Sequence, residues 1–437
     1  MITKDCICEN LAVSDEGHLL FAGQDTTALA AQYGTPLYLM DEDRIRERCR
    51  TYLTAVKEAF GENGRVLYAS KAASFKQMYR IMQEEGMGID VVSAGEIATA
   101  KAVGYPLEQA YFHSNNKTDA DIRYAMDCGV GHFVVDGPDE LTAINTIAAE
   151  KGMTQAVLLR ITPGIDPHTY EAVATGKVDC KFGSAIELGH AEEITGLALS
   201  LPHIRLDGFH CHVGSQVFDA SVYNATVDVM VAFLAAMADR YGYTASMLDL
   251  GGGFGVRYVA EDPTIDIAAS IREVGQRVRE KVAEHGIPMP IIGFEPGRSI
   301  VADAGMTLYT VGAVKKLPGY KTYVSVDGGM TDNPRYVLYG SQYTVVPPTR
   351  ALDKREMTAS VVGRCCESGD ILQENVPLPA DIRRGDLLAF LTTGAYHYSM
   401  ASNYNRIPRP PVVMLQGGDS YVAVRRETVE DVLALDL

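Results

Sequence analysis

The sequence has no tryptophan, few close cysteine pairs and a shortage of positive charge. Of its eight cysteines, only Cys6 with Cys8 and Cys365 with Cys366 lie near one another. Neither pair has the CxxC spacing of a structural zinc site, and a chain this long needs no disulfide framework. Reduced, mostly buried thiols and no metal site are therefore expected. Lysine and arginine number 39 against 56 aspartates and glutamates, a net charge of -17. Such a chain offers no basic face, which excludes nucleic acid as an expected partner. No apolar run approaches the ~20 residues that a membrane-spanning helix needs. The opening MITKDCICEN carries Asp5 and Glu9 and lacks the apolar stretch of a secretory signal. The expectation is a cytoplasmic protein with no membrane partner.

What is present is a rhythm. At 437 residues the chain is long for one domain and suits two. Short apolar segments recur: RVLYAS (65–70), MGIDVVS (87–93), AYFHS (110–114), HFVVD (132–136) and AVLLRI (156–161). Three more follow, IRLDGFHCHV (204–213), SMLDLGG (246–252) and PIIGFEP (290–296). The first five begin 22 to 24 residues apart, close to the least length for a strand, a helix and two tight turns. Between them, stretches such as 74–85, 95–103 and 138–151 space their apolar residues three to four apart, as helices do. Eight such units predict an α/β fold, a closed parallel (β/α)8 barrel of TIM type over residues 36–297. An open doubly wound sheet is the alternative. Beyond residue 297 the pattern changes to alternating strands and turns, as in KTYVSVDGG and SYVAVRRE. That reads as a mostly antiparallel β-domain, and residues 1–35 resemble it more than the barrel. The second domain is thus expected from both chain ends, 1–35 and 298–437.

In such a barrel the site lies at the carboxyl ends of the strands. The polar residues found there are Lys71, Asp90, Ser93, His113, Arg160, His210, His212, Ser215, Glu295 and Arg298. LDLGGGFG (248–255) ends its strand in Gly251, Gly252 and Gly253, whose amides can wrap an anion. It has neither dinucleotide spacing nor the lysine of a P-loop. HVGS (212–215) adds Ser215 as a second candidate phosphate ligand. Lys71, in YASKA, has small and mostly apolar neighbours, and desolvation there would favour Schiff-base chemistry. A phosphate cradle, an amine and a carboxylate able to hold a pyridine nitrogen protonated are the parts that pyridoxal 5'-phosphate needs. His210 shares a strand face with His212, and no role is assigned to His210, His113, Asp90 or Arg160.

YASKA, GFHCHVGSQ (208–216), LDLGGGFG, EPGRSIV (295–301), CESGD (366–370) and GAY (394–396) occur in an order that resembles the fold type III pyridoxal-phosphate decarboxylases. That family includes the diaminopimelate, ornithine and arginine enzymes, and its fold is an alanine-racemase-like barrel with a β-domain. The resemblance implies that Lys71 carries the cofactor and later moves a proton, and that His212 stacks on the cofactor ring. It implies phosphate ligands in Ser215, Gly252, Gly253, Gly297 and Arg298, with Tyr396 beside them, and Glu295 as partner of the pyridinium nitrogen. Cys366 matches a cysteine contributed by a second subunit, which implies a homodimer with shared active sites.

Members of that family differ in what holds the far end of a small amino-acid substrate. Diaminopimelate carries an ammonium and a carboxylate there, and a carboxylate calls for the fork of an arginine. Arg298, Arg335 in TDNPRYVLYG (331–340), Tyr339 and Tyr396 resemble the substrate ligands of the diaminopimelate-acting members, with Glu367 for the distal ammonium. The resemblance implies decarboxylation of meso-diaminopimelate at its D-centre to give L-lysine and CO2, the last step of lysine biosynthesis. A decarboxylase of ornithine, arginine or carboxynorspermidine is the alternative, and an inactive partner-binding homologue the remote one. A loop around residues 163–182 is a candidate lid.

Overall fold

A computed structural model describes residues 8–165 and 180–437. Cys6 and most of the candidate lid lie outside the described residues. The chain divides into two compact units, one of Arg48–Gly255 with Thr264–Ser299, the other of Met1–Glu47, Val256–Pro263 and Ile300–Leu437.

All eight expected strands form in the first unit. They are β1 (Gly64–Ala69), β2 (Gly88–Val91), β3 (Ala110–Phe112), β4 (His132–Val135), β5 (Gln155–Thr162), β6 (Ile204–His210), β7 (Met247–Asp249) and β8 (Ile291–Phe294). Each pairs in parallel with the next, and β8 pairs with β1, so the sheet closes into a barrel and the open-sheet alternative falls. Helix starts are written locally. Ser93 Oγ accepts from the Glu96 amide, Thr118 and Asp121 form a capping box, and Asp266 caps the helix Ile267–His285.

The strand period of two then builds the site. Leu67, Tyr111, Val134, Leu158 and Met247 pack with Ile291 as an apolar plug inside the barrel. Two residues further along the same strands come Ala69, His113, Asp136, Arg160, Asp249 and Gly293. They stand on the same inward face, one layer nearer the carboxyl ends. One alternation therefore makes a dry floor and sets a polar layer above it.

The helix Ala220–Tyr241 corrects the reading that no segment is long and apolar enough to cross a membrane. It has 22 residues with a window of mean hydropathy 1.5, half of it buried inside the protein. Its apolar surplus covers the barrel, with Val227, Met230, Val231 and Leu234 among its buried residues.

The second unit is built on a nine-stranded sheet. The long strand Gly305–Leu317 runs antiparallel to Leu37–Asp41 and Leu387–Leu391 over its first part and to Lys321–Val326 over its second. A register shift between Val311 and Ala313 separates the two parts. Two pairings are parallel, Lys321–Val326 with Met357–Val362 and Val412–Gln416 with Leu37–Asp41, so the sheet is mixed. The amino-terminal strands Leu11–Val13 and Leu19–Phe21 add Leu11, Leu19 and Phe21 to the same core as Met306, Leu308, Val413 and Leu415. Both chain ends thus contribute to this unit.

One buried ion pair ties the loop after β3 to the outer helices. The Lys117 ammonium has no exposed side-chain surface and donates to Glu140 Oε1 (2.7 Å), Val134 O (2.6 Å) and Ser114 O (3.2 Å). Burial lowers the Lys117 pKa and raises that of Glu140, each partly offset by its partner's charge. Glu140→Ala leaves that cation uncompensated and is expected to cost about 3–5 kcal/mol in urea unfolding. Lys117→Met in the same chain should recover most of the loss; a single-variant cost below about 1 kcal/mol would show the pair to be solvated.

Candidate active site

The barrel rim brings most of the sequence-predicted residues together. Lys71 follows β1 on the short turn Ser70–Ala72, and its side chain is exposed. This corrects the expectation of a desolvated lysine: its small neighbours leave room above it and do not cover it. Its charge is still felt below, because it lowers the pKa of His210 and His212 and stabilises ionised Asp90.

The glycine run after β7 has a steric reason. A Cβ on Gly252 would stand 2.1 Å from Glu295 O, and one on Gly253 (φ +107°) would stand 2.2 Å from Gly214 O. Only glycine lets the loops after β6, β7 and β8 close on one another. Backbone bonds then lock them: Glu295 N donates to Gly251 O (2.9 Å) and Val217 N to Gly253 O (2.9 Å). Above this platform the Arg298 guanidinium donates to Ser215 Oγ at 2.9 and 3.2 Å. Gly297 fills a different role, since a Cβ there would meet Ala69 Cβ at 2.9 Å, which packs the turn after β8 onto the end of β1. A hydroxyl, a buried guanidinium and a Cβ-free platform fit a phosphate group.

Glu295 stands at the end of β8 with both oxygens engaged. His210 Nε2 lies 3.0 Å from Oε2, and His113 Nε2 lies 2.7 Å from Oε1, an ion-pair distance short of hydrogen-bond alignment. Asp90 Oδ1 is 3.8 Å from the same His113 nitrogen. Burial pushes the Glu295 carboxyl up, but the two imidazoles outweigh it and hold it well below the usual carboxylate range. Burial, helped by the Lys71 and Arg160 charges, pushes His212 well below the usual imidazole range, so its ring is neutral. The Glu295 pairing with His113 and His210 is what sequence reasoning missed. Both histidines are visible as rim residues, but their joint partner is not, because the contact joins three strands far apart in the chain. The ligand atoms of these three residues lie within 4.8 Å of one another, a spacing that no local motif announces.

The second unit holds the remaining predicted residues. Arg335 opens the short helix Arg335–Tyr339 and is buried, its guanidinium carbon 5.0 Å from the ring centres of both Tyr339 and Tyr396. The backbone of Tyr396 is left-handed (φ 63°), a conformation that L-residues adopt only where surroundings enforce it. Cys366 and Glu367 are exposed on a loop anchored by Asp370, which accepts from the Met330 and Cys365 amides at 2.6 and 2.7 Å. Cys366 N donates to Asn405 Oδ1 (2.8 Å). Burial and the neighbouring Asp370 push the Cys365 thiol up to about 12.

Comparison with known proteins agrees with this chemistry. Residues 42–302 match the model of the pyridoxal-dependent decarboxylase pyridoxal-binding domain. The chain is 43% identical over 424 residues to a diaminopimelate decarboxylase of Bacillus subtilis (strain 168), covering 97% of this chain and 96% of that one. It is 38% identical to one of Staphylococcus aureus (strain COL), with 97% and 98% covered. A crystal structure of diaminopimelate decarboxylase from M. jannaschii in complex with L-lysine matches with a TM-score of 0.89 at 32% identity, over 98% of each chain. A lysine/ornithine decarboxylase of Vibrio vulnificus complexed with putrescine matches with a TM-score of 0.73 at 25% identity, over 90% of this chain and 97% of that one. The chain belongs to the pyridoxal-dependent decarboxylase family, in which the diaminopimelate decarboxylases are found.

Proposed function

We propose that this chain decarboxylates meso-diaminopimelate at its D-centre, releasing CO2 and L-lysine, with pyridoxal 5'-phosphate as cofactor. The observation that carries the substrate is Arg335, a buried guanidinium beside two tyrosine rings. Its Nε has no hydrogen-bond partner among the described residues. A buried fork without a carboxylate of its own is matched to one brought by a ligand. The homology to diaminopimelate decarboxylases supports the same substrate.

The cofactor, when bound, supplies the electron sink that receives the pair left behind by departing CO2. The residues of the chain do the rest. Lys71 Nζ would hold the cofactor covalently and is exposed at the rim, where it can move a proton. Gly252, Gly253, Ser215 and Arg298 would take the phosphate, with Gly297 shaping the turn. The neutral His212 ring offers a flat, weakly hydrated face to the pyridine. Glu295, anionic, holds the proton on the ring nitrogen. Arg335, with Tyr339 and Tyr396, takes the distal carboxylate, and Glu367 the distal ammonium. Cys366 protonates the product carbon from a second subunit, so the working form is a homodimer with shared sites. The chain works on small amino acids in the cytoplasm.

Three outcomes test this. CO2 release from purified protein with added cofactor is expected with meso-diaminopimelate and not with L-ornithine, L-arginine or L-lysine; turnover of ornithine in its place would overturn the role of Arg335. Lys71→Ala should abolish the visible absorbance of the lysine-bound cofactor, and an unchanged spectrum would remove Lys71 from its role. Arg335→Ala should raise KM at least about 30-fold, the loss of one buried charge pair, with cofactor affinity little changed. Equal loss of both would make Arg335 a cofactor ligand instead.

A further inference from the structure

A carboxylate buried to 6% side-chain exposure takes up a proton unless something holds its charge. At Glu295 two side chains are placed to do so, one at each oxygen: His113 Nε2 at 2.7 Å from Oε1 and His210 Nε2 at 3.0 Å from Oε2. Their own side chains are 6% and 1% exposed. The two rings meet edge to face, centres 4.9 Å apart at 73°, so neither can swing without striking the other. The hydrogen bond with His210 and the close charge contact with His113 flank the carboxylate on its two oxygens, while Glu295 Oε1 and His113 Nε2 have no aligned hydrogen-bond partner among the described residues. Asp90 Oδ1 lies 3.8 Å from the same His113 nitrogen that faces Glu295, too far for a hydrogen bond. It has no hydrogen-bond partner among the described residues, nor has His210 Nδ1. Other titratable groups facing this cluster are Lys71, Arg160, His212, Glu96, Asp136 and Asp249.

Burying two imidazoles and two carboxylates costs desolvation that an apolar layer of the same size avoids. The layer below shows the alternative, a wholly apolar plug of Leu67, Val134, Leu158 and Met247 around Tyr111. A polar layer at this height has to be offset by what its charge does. We propose that His113 and His210 are positioning residues, which aim Glu295 at the pyridine nitrogen of the cofactor and hold it as an anion. This rests on the reading that pyridoxal phosphate occupies the rim. It makes the protonated pyridine a property of three side chains.

The test separates positioning from packing by changing the cofactor together with the protein. Equilibrium titration of the apoprotein would compare pyridoxal phosphate with its 1-deaza analogue, in which CH replaces the ring nitrogen. The wild type should prefer the nitrogen-bearing cofactor by about tenfold or more, the size of one charge-assisted hydrogen bond. In His113→Phe and His210→Phe that preference should fall to about threefold or less, and His113→Gln and His210→Gln, which keep an N–H, should restore most of it. His113→Leu and His210→Leu, smaller and likewise without an N–H, carry the same test where a phenylalanine variant does not fold. Variants that bind both cofactors more weakly by the same factor, or that keep the wild-type preference, would overturn the proposal. A wild type that binds neither cofactor would overturn the cofactor reading on which it rests.

Discussion

Glu295 carries a carboxylate at 6% side-chain exposure inside a barrel where an unpaired carboxyl would hold its proton. The rest of the rim is arranged around keeping that group ionised and in place. His210 supplies a hydrogen bond and His113 an ion-pair contact. The apolar plug beneath removes the water that would otherwise compete for them. The turn after β8 holds Glu295 by its backbone, its amide donating to Gly251 O at 2.9 Å. That bond requires the loop after β7 to come so close that a Cβ on Gly252 would lie 2.1 Å from Glu295 O. The glycine run is therefore doubly committed. It permits close approach of an anion above, and it permits the backbone packing that fixes the carboxylate at its side.

The same logic of a charge held in a shaped, dry place recurs in the second unit with the opposite sign. Arg335 is buried beside two tyrosine rings, and arginine tolerates this better than lysine because its charge is spread over a planar, weakly hydrated group. Close to it in the chain, Asp332 is fully buried and accepts from Tyr309 OH at 2.5 Å and the Gly329 amide at 3.1 Å. Burial raises its pKa to about 7. The net charge of -17 has no bearing on either arrangement, since each is decided by neighbours within a few ångströms.

Much of this can be read from the sequence, and the limits have physical causes. The barrel strands are legible because each is a short apolar run followed at even spacing by a helical period, and β1 to β8 fall where those runs lie. Lys71, His212, Ser215 and Glu295 are legible because a strand end in a barrel is a place as well as a residue. The exposure of Lys71 is not, because the volume above a strand end depends on loops from other strands. The two parallel pairings in the second unit are not legible either, since alternation reports which face a residue occupies and not the direction of its neighbour. The helix Ala220–Tyr241 shows the converse failure. Counting uninterrupted apolar residues misses it, because a few polar positions such as Asn224 and Asp228 break the run without lowering the average enough. The clamp on Glu295 joins residues 113, 210 and 295, and no window along the chain contains all three.

Glu295, Asp90 and Asp249 are three of the carboxyl groups in the polar layer of the barrel, and the protonation of each follows the partners it has. Glu295 has one at each oxygen and is held well below the usual range. Asp90 has one at 3.8 Å, too far for a hydrogen bond, and burial raises it to about 6 despite the attraction of His113. Asp249 accepts from the Gly251 amide at 2.8 Å, and burial with repulsion from Glu295 pushes it well above the usual range, so it is neutral. All three are buried, and burial raises each of them. The difference is made by partners. Two imidazoles cannot ionise three carboxyls in a dry layer, so each negative charge placed there discourages the next. The barrel concentrates its charge on Glu295 by giving that residue both imidazoles, and the neutrality of Asp249 is the consequence, because an ionised Asp249 would compete with Glu295 for the same scarce positive potential.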